Sequence, residues 1–224
     1  MSATEEQTTE RPSIFNGWSI RRIFANEKTQ TRRIMKPQPE EVDPPNRQTW
    51  TPERKWLRWK KVKQTSGALT GRCPYGQRGD VLWVREAFRM PERFDDQYTP
   101  KEYVSHSGYT QGIPGYARYE ADEKRVFEVA GNPDAPSFEW GRLRPAIHMP
   151  RELCRLRLRV ESVRVERLQE ISHHAAEAEG VRVCNPQETP RDLFRMKWND
   201  IHSTGAWEEN PHVWVVEFSK IDAE

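Results

Sequence analysis

The run from Leu153 to Leu168, LCRLRLRVESVRVERL, restricts the fold more than any other stretch. Leu156, Leu158 and Val160 alternate with Arg155, Arg157 and Arg159, so this is a strand with one apolar and one cationic face. Val163 and Val165 then resume the apolar series at an odd offset. A shift of one residue turns every side chain to the opposite face, so the pattern requires a bulge or bend near Glu161 and Ser162. Long bent strands of this kind suit a small barrel.

Weaker signals lie on either side. Ile14 to Phe24 reads as a short strand and then a helix that ends near Asn26, a residue type that tolerates left-handed backbone. Thr29 to Met35 reads as a strand, and so does Asp80 to Phe88, with Val81, Trp83 and Arg85 on one face and Leu82, Val84 and Glu86 on the other. Trp83 is assigned to the core. Ser172 and Thr189 are N-cap candidates for two helices, the first closed by Gly180 and the second followed by Gly205, with Leu193, Phe194, Trp198 and Ile201 near helical spacing. A last strand covers His212 to Phe218. Strands outnumber helices and neither βαβ alternation nor an internal repeat is visible, so the expected class is α+β, a small mixed barrel with short flanking helices. Residues 1–11 are expected to be a disordered tail and 12–222 a single domain. Two Pro- and Gly-rich insertions interrupt it, at about 37–72 and about 90–143, the second with one hairpin near Tyr116 to Val129.

Leu, Ile, Val and Phe together make about 18% of the chain, a low share that signals disorder only when net charge is high. Here the formal charge is +2, and nine Trp and six Tyr supply large buried area per residue. A modest core with long polar loops follows. No run approaches the length of a membrane span, and the acidic start MSATEEQTTE lacks the basic and apolar regions of a secretory signal, so neither a membrane nor export is expected. Cys73, Cys154 and Cys184 are odd in number and widely spaced, which argues against a disulfide framework and favours a reducing cytoplasm, with each cysteine a small buried residue.

Charge is concentrated between Arg47 and Arg72. Eight Lys or Arg, Lys60 and Lys61 among them, face a single acid, Glu53, and are interleaved with Trp50, Trp56 and Trp59. Cations meet phosphates and indoles stack on bases, so the composition suits single-stranded nucleic acid; a solvated hairpin with tryptophans packed on the core is the plainer reading and the one preferred. No glycine-rich phosphate loop, H-E-x-x-H or G-x-S-x-G motif occurs. His173 and His174 are adjacent and point in different directions on a helix, so with Glu177 they read as solvent-facing residues rather than ligands. No metal and no cofactor are expected.

Four segments, taken in order, resemble one family: NEKTQTRRIMKPQP (Asn26 to Pro39), CPYGQRGDVLWVREAF (Cys73 to Phe88), Arg144 to Val181, and NPHVWVVEFSKI (Asn210 to Ile221). Together they resemble the ASCH domain of the PUA-like superfamily of small β-barrels, and in particular the long ASCH-like proteins of phages and prophages. The Lys-Thr-x-Thr-Arg-Arg block, the Gly-Asp ahead of a strand and the long strand leading to a Glu-bearing helix carry the resemblance. Asn26 and Glu27 stand where the family has a glycine turn, and the two insertions have no counterpart in its smallest members. Small bacterial members remove the acetyl group from acetylated cytidine, and another branch is associated with ribonuclease activity. The resemblance implies a catalytic trio of Lys28, Thr31 and Glu179 on RNA or a modified nucleoside, with Arg32, Arg33, Arg85 and Glu86 as candidates beside it and Trp56, Trp59, Lys60 and Lys61 for the nucleic-acid strand.

Amide hydrolysis needs a nucleophile, a base, an acid for the leaving amine and positive charge at the oxyanion. Thr31 is either the nucleophile or the group that positions a water. Lys28 acts as base if burial lowers its pKa; otherwise it stays charged at the oxyanion and Glu179 is the base. Residues three apart in a regular strand face opposite sides, so Lys28 must precede the strand for its amine to reach Thr31. Surface charge for Arg32 and Arg33, and a buried structural pair for Arg85 and Glu86, are the plain alternatives. Two other functions stay open: an RNA-binding PUA-like module, and a phage accessory factor whose insertions, with Tyr98, Tyr103, Tyr109 and Tyr116, meet a protein partner.

Overall fold

A computed structural model describes residues 8–41, 56–59, 62–65, 73–90, 118–121 and 141–221. Its principal sheet has five strands: β1 (Glu10–Ile14), β2 (Gln30–Ile34), β6 (Val81–Arg85), β9 (Arg157–Arg167) and β10 (His212–Ile221), in the order β1-β6-β9-β10-β2. The amide of Val81 donates to Thr9 and that of Phe15 to Arg85, so β1 runs parallel to β6, whereas β10 and β2 are antiparallel. The sheet is therefore mixed, and the fold is α+β. Among the described residues β1 and β2 each pair with one neighbour only, so the sheet is open where the sequence suggested closure. A second sheet joins β3 (Glu40–Glu41), β4 (Trp56–Trp59) and β5 (Val62–Thr65), and a third pairs β7 (Phe88–Arg89) with β8 (Arg118–Tyr119).

Among the described residues three α-helices accompany these strands: α1 (Gly17–Phe24), α2 (His173–Ala178) and α3 (Pro190–His202). Each start has a local cause. The Asn16 side chain accepts from the Ser19 amide at 2.8 Å, Ser172 from Ala175 at 3.1 Å and Thr189 from Asp192 at 3.2 Å. These satisfy amides that have no partner within the helix. Asn26, just beyond α1, has φ 57°, and Gly180, just beyond α2, has φ 96°. No helix among the described residues is long and apolar enough to cross a membrane.

The chain divides into two compact units. The first comprises 1–9, 25–81 and 159–219. Here β10 is buried on both faces from His212 to Val216, and it pairs in register with β2 (Val215 with Arg32, Glu217 with Gln30). Phe194 and Trp198 are the buried residues of α3, while Ile201, placed on the same face by spacing, is 50% exposed. The buried Asp80 carboxylate accepts from the amides of Thr9 and Gln77, and a Cβ at Gly76 would come within 2.8 Å of its Oδ2, which explains glycine there.

The second unit comprises 10–24, 82–158 and 220–224. Phe88, Met90, Tyr119, Met149 and Leu153 form its core, and the Tyr119 hydroxyl donates to the Leu153 carbonyl at 2.7 Å. Each such apolar side chain stabilises the fold by about 1.5–3 kcal/mol on full burial.

Several expectations need correction. The tail stops short of residue 11, because Glu10 and Arg11 belong to β1. Trp83 is only partly buried, with the guanidinium carbons of Arg85 and Arg151 5.4 Å and 6.0 Å from its ring centre. All three cysteines are free, but only Cys73 is buried; Cys184 is exposed. The second half of the 116–129 hairpin and most of both insertions, including the four tyrosines at 98, 103, 109 and 116, lie outside the described residues.

Candidate functional site

Lys28 lies two residues ahead of β2, just beyond the turn at residues 25–26. The next residue, Thr29, is held at both ends: its amide donates to the Ala178 carbonyl at 2.9 Å, and its carbonyl accepts from the Phe218 amide at 2.8 Å. This fixes the root of the lysine beside the last turn of α2, where Glu179 is the C-cap. Its Nζ donates to Glu179 Oε2 at 2.6 Å and to the Glu179 carbonyl at 2.8 Å. Both residues are 4% exposed.

Arg32 completes the grip on the carboxylate, donating through Nη1 to Glu179 Oε1 at 3.0 Å. It is buried, not a surface charge, and its guanidinium lies 5.8 Å from the Phe194 ring centre. The rest of its fork goes to Glu166, with Nε 3.0 Å from Oε1 and Nη2 bonded to the same oxygen. Glu166 in turn accepts from Arg164 at 3.1 Å, and Arg164 bonds Glu217, whose other oxygen accepts from the Ser162 hydroxyl at 2.7 Å. Three carboxylates thus alternate with Lys28, Arg32 and Arg164 along one chain of contacts. Gln30, two residues before Arg32 and on the same strand face, bonds the Ala175 carbonyl in α2.

The bend in β9 makes this chain possible. Glu161 accepts from Ser219 at 2.6 Å while Ser162 donates to Glu217 at 2.7 Å. Ser219 and Glu217 are two apart and share a face of β10, so consecutive residues of β9 reach the same face of their neighbour. A regular pleat forbids that, and a one-residue bulge permits it. Beyond it, Ser162, Arg164 and Glu166 share the face of Gln30, Arg32 and Glu217.

Burial pushes the Lys28 amine below its ordinary pKa, opposed by Glu179 and reinforced by Arg33 and Arg32. That is the condition for a lysine base. Thr31 is buried, and its hydroxyl forms no hydrogen bond among the described residues. As the neighbour of Arg32 in β2 it projects to the opposite face of the strand, which it shares with Arg33. The structure thus joins Lys28 and Glu179, adds Arg32, and leaves Thr31 out of the bonded cluster. Arg33 lies 5.7 Å from the Tyr75 ring centre, and burial lowers its pKa. His202, at the end of α3, stacks on Trp198 at 4.1 Å; burial lowers its pKa, followed by the charges of Arg33 and Lys36.

Arg85 and Glu86 belong to the second unit, and their hydrogen bonds described below run to other partners. Arg85 donates to the Met149 carbonyl at 3.1 Å and also bonds that of Ile147, while Glu86 takes a two-pronged contact from Arg155 at 2.7 Å and 2.8 Å. They are not part of the Lys28 cluster. Trp56 and Trp59 fall in β4, which pairs with β5 as the plain hairpin reading had it; their side chains, and Lys60 and Lys61 entirely, lie outside the described residues. His173 and His174 are exposed, and among the described residues no His, Cys, Asp or Glu group could hold a metal ion.

Glu166, Arg164 and Glu217 escaped the sequence reading. One signal was available: with Val163 and Val165 on the apolar face beyond the bend, strand alternation puts Arg164 and Glu166 on the opposite one. Compared with protein-family models, curated proteins and solved structures, the chain gives no match.

Proposed function

We propose that this chain is a hydrolase of an N-acylated nucleobase, acetylated cytidine or a close relative free or within RNA, built on a PUA-like scaffold of the ASCH type and working in the cytoplasm. The observation that carries the reading is the direct 2.6 Å contact between Lys28 and Glu179, two buried groups 151 positions apart in sequence. Burial favours the neutral amine, and both oxygens of Glu179 are already held by cations, so Lys28 is assigned as the base and Glu179 as the group that orients it. The amine takes a proton from the attacking water as the new bond to the acyl carbon forms. It returns that proton to the exocyclic nitrogen as the carbon–nitrogen bond breaks, releasing the carboxylic acid and the free base.

The test is turnover of acetylated cytidine and a panel of modified nucleosides and RNAs. Lys28→Met and Glu179→Gln should lower kcat/KM by about a hundredfold or more. Absence of turnover in the wild type, or full rates in both variants, refutes the hydrolase.

A further inference from the structure

We propose that Glu166 is a positioning residue of this site: by occupying two nitrogens of Arg32 it confines that arginine to one oxygen of Glu179 and keeps the other oxygen for Lys28. The inference rests on the hydrolase reading for its consequence in turnover, and on geometry alone for its effect on Lys28.

A guanidinium prefers a two-pronged contact with a carboxylate. Arg32 has two carboxylates within reach and treats them differently. Nε and Nη2 go to Glu166, whereas Nη1 alone reaches Glu179. The side chain of Arg32 is 1% exposed, so its nitrogens depend on protein partners. Without the Glu166 carboxylate the free nitrogens would turn to the nearest remaining anion, Glu179, and Arg32 would compete for the oxygen that holds Lys28. The bulge in β9 brings Glu166 to this face, and Arg164 braces it from the far side at 3.1 Å.

Among the charged groups that act on the Lys28 amine are Glu179 from the end of α2 and Arg32 and Arg33 from β2. Glu166 of β9 acts through Arg32, and the neighbouring Glu27 is paired with Arg182 at 2.5 Å. Moving Arg32 toward Glu179 therefore removes an anionic contact from the ammonium and brings a cation closer. Both changes disfavour the charged lysine.

The experiment labels lysine at Cε with carbon-13 and follows the Lys28 resonance, assigned by its loss in Lys28→Met, as pH rises in the wild type, Glu166→Gln and Glu166→Asp. Glu161→Gln, outside the network, is the control. A folded Glu166→Gln should titrate Lys28 at lower pH than the wild type, with Glu166→Asp shifted in the same direction and Glu161→Gln unmoved. Where turnover is present, kcat should fall by about tenfold or more with KM little changed. An unmoved midpoint in the folded variants overturns the proposal, as does failure of both Glu166 variants to fold. A shifted midpoint in a protein that turns over no substrate keeps the positioning role and removes only the hydrolase.

Discussion

Each unit buries a carboxylate against an arginine, and the two arrangements differ in how completely they are closed. In the second unit Glu86 is 1% exposed and takes both prongs of Arg155, whose guanidinium carbon lies 4.1 Å from the Tyr119 ring centre and 4.9 Å from that of Phe24. One acid meets one base in their preferred geometry, with aromatic faces above the charge. In the first unit Glu179 is divided between two cations, one of them a lysine whose pKa burial depresses. A buried guanidinium stays charged whatever surrounds it, whereas a buried lysine can change state. Burial of charge therefore does not mark a site by itself. A titratable partner under competing demands does.

Removing one member of either pair should have the largest effect. Glu86→Ala leaves Arg155 without its carboxylate, and Glu179→Ala deprives Lys28 and Arg32 together; each is expected to lower unfolding free energy by about 3–5 kcal/mol in urea titrations. Paired apolar replacements separate the two. Glu86→Met with Arg155→Met should fold about as well as the wild type and keep its turnover, since a buried ion pair often exchanges for packed hydrophobic groups without net loss. Lys28→Met with Glu179→Met should also fold, yet lose turnover. If the first double variant were inactive, or the second active, the contrast between a structural and a chemical pair would collapse.

Thr31→Val comes next, because it changes chemistry with little effect on the fold. The hydroxyl has no hydrogen bond to lose among the described residues, so thermal unfolding should move by less than about 1 kcal/mol in equivalent stability. If the hydroxyl is the nucleophile, kcat/KM should drop by about a hundredfold or more. Retained turnover assigns the attack to water and makes Thr31 a packing residue on the far face of β2.

Much of the scaffold was readable because its causes are local. The caps at Ser172 and Thr189, the left-handed Asn26 and the offset of Val163 from Val160 all act within a few residues, and each has its counterpart in the structure. Lys28 does lie ahead of β2, but parity placed it there so that its amine could reach Thr31, and the structure gives the amine to Glu179 instead. What the sequence hid is pairing across long separations. Arg32 and Arg33 look like surface charge because nothing nearby neutralises them, and the Glu166 that does so for Arg32 is 134 positions away. The partners of Arg85 and Glu86 were hidden for the same reason: they lie near Met149 and at Arg155, more than 60 positions along the chain. Glu10 joined a strand because Asp80 anchors Thr9 beside it, a contact invisible from either segment alone.

The smallest effect expected is a separation of the two units on the pH axis. His202 has its pKa lowered from 6.5, first by burial and then by Arg33 and Lys36. Over the interval between its folded pKa and 6.5 the unfolded chain binds more protons than the folded one, so stability falls as pH drops through that interval and is level below it. Glu10, in the second unit, is lowered from 4.5, first by its hydrogen bond to Arg151. Its contribution is complete above 4.5 and fades as pH falls through the folded pKa. Both groups keep access to solvent, so each step should be under about 1 kcal/mol and should shrink with added salt. Thermal midpoints taken from neutral to acid pH should show the upper step lost in His202→Phe, which keeps a ring against Trp198, and the lower step lost in Glu10→Gln. If His202→Phe altered only the lower step, His202 would not be the group titrating above it, and the cationic pressure from Arg33 and Lys36 on the first unit would have to be reassigned.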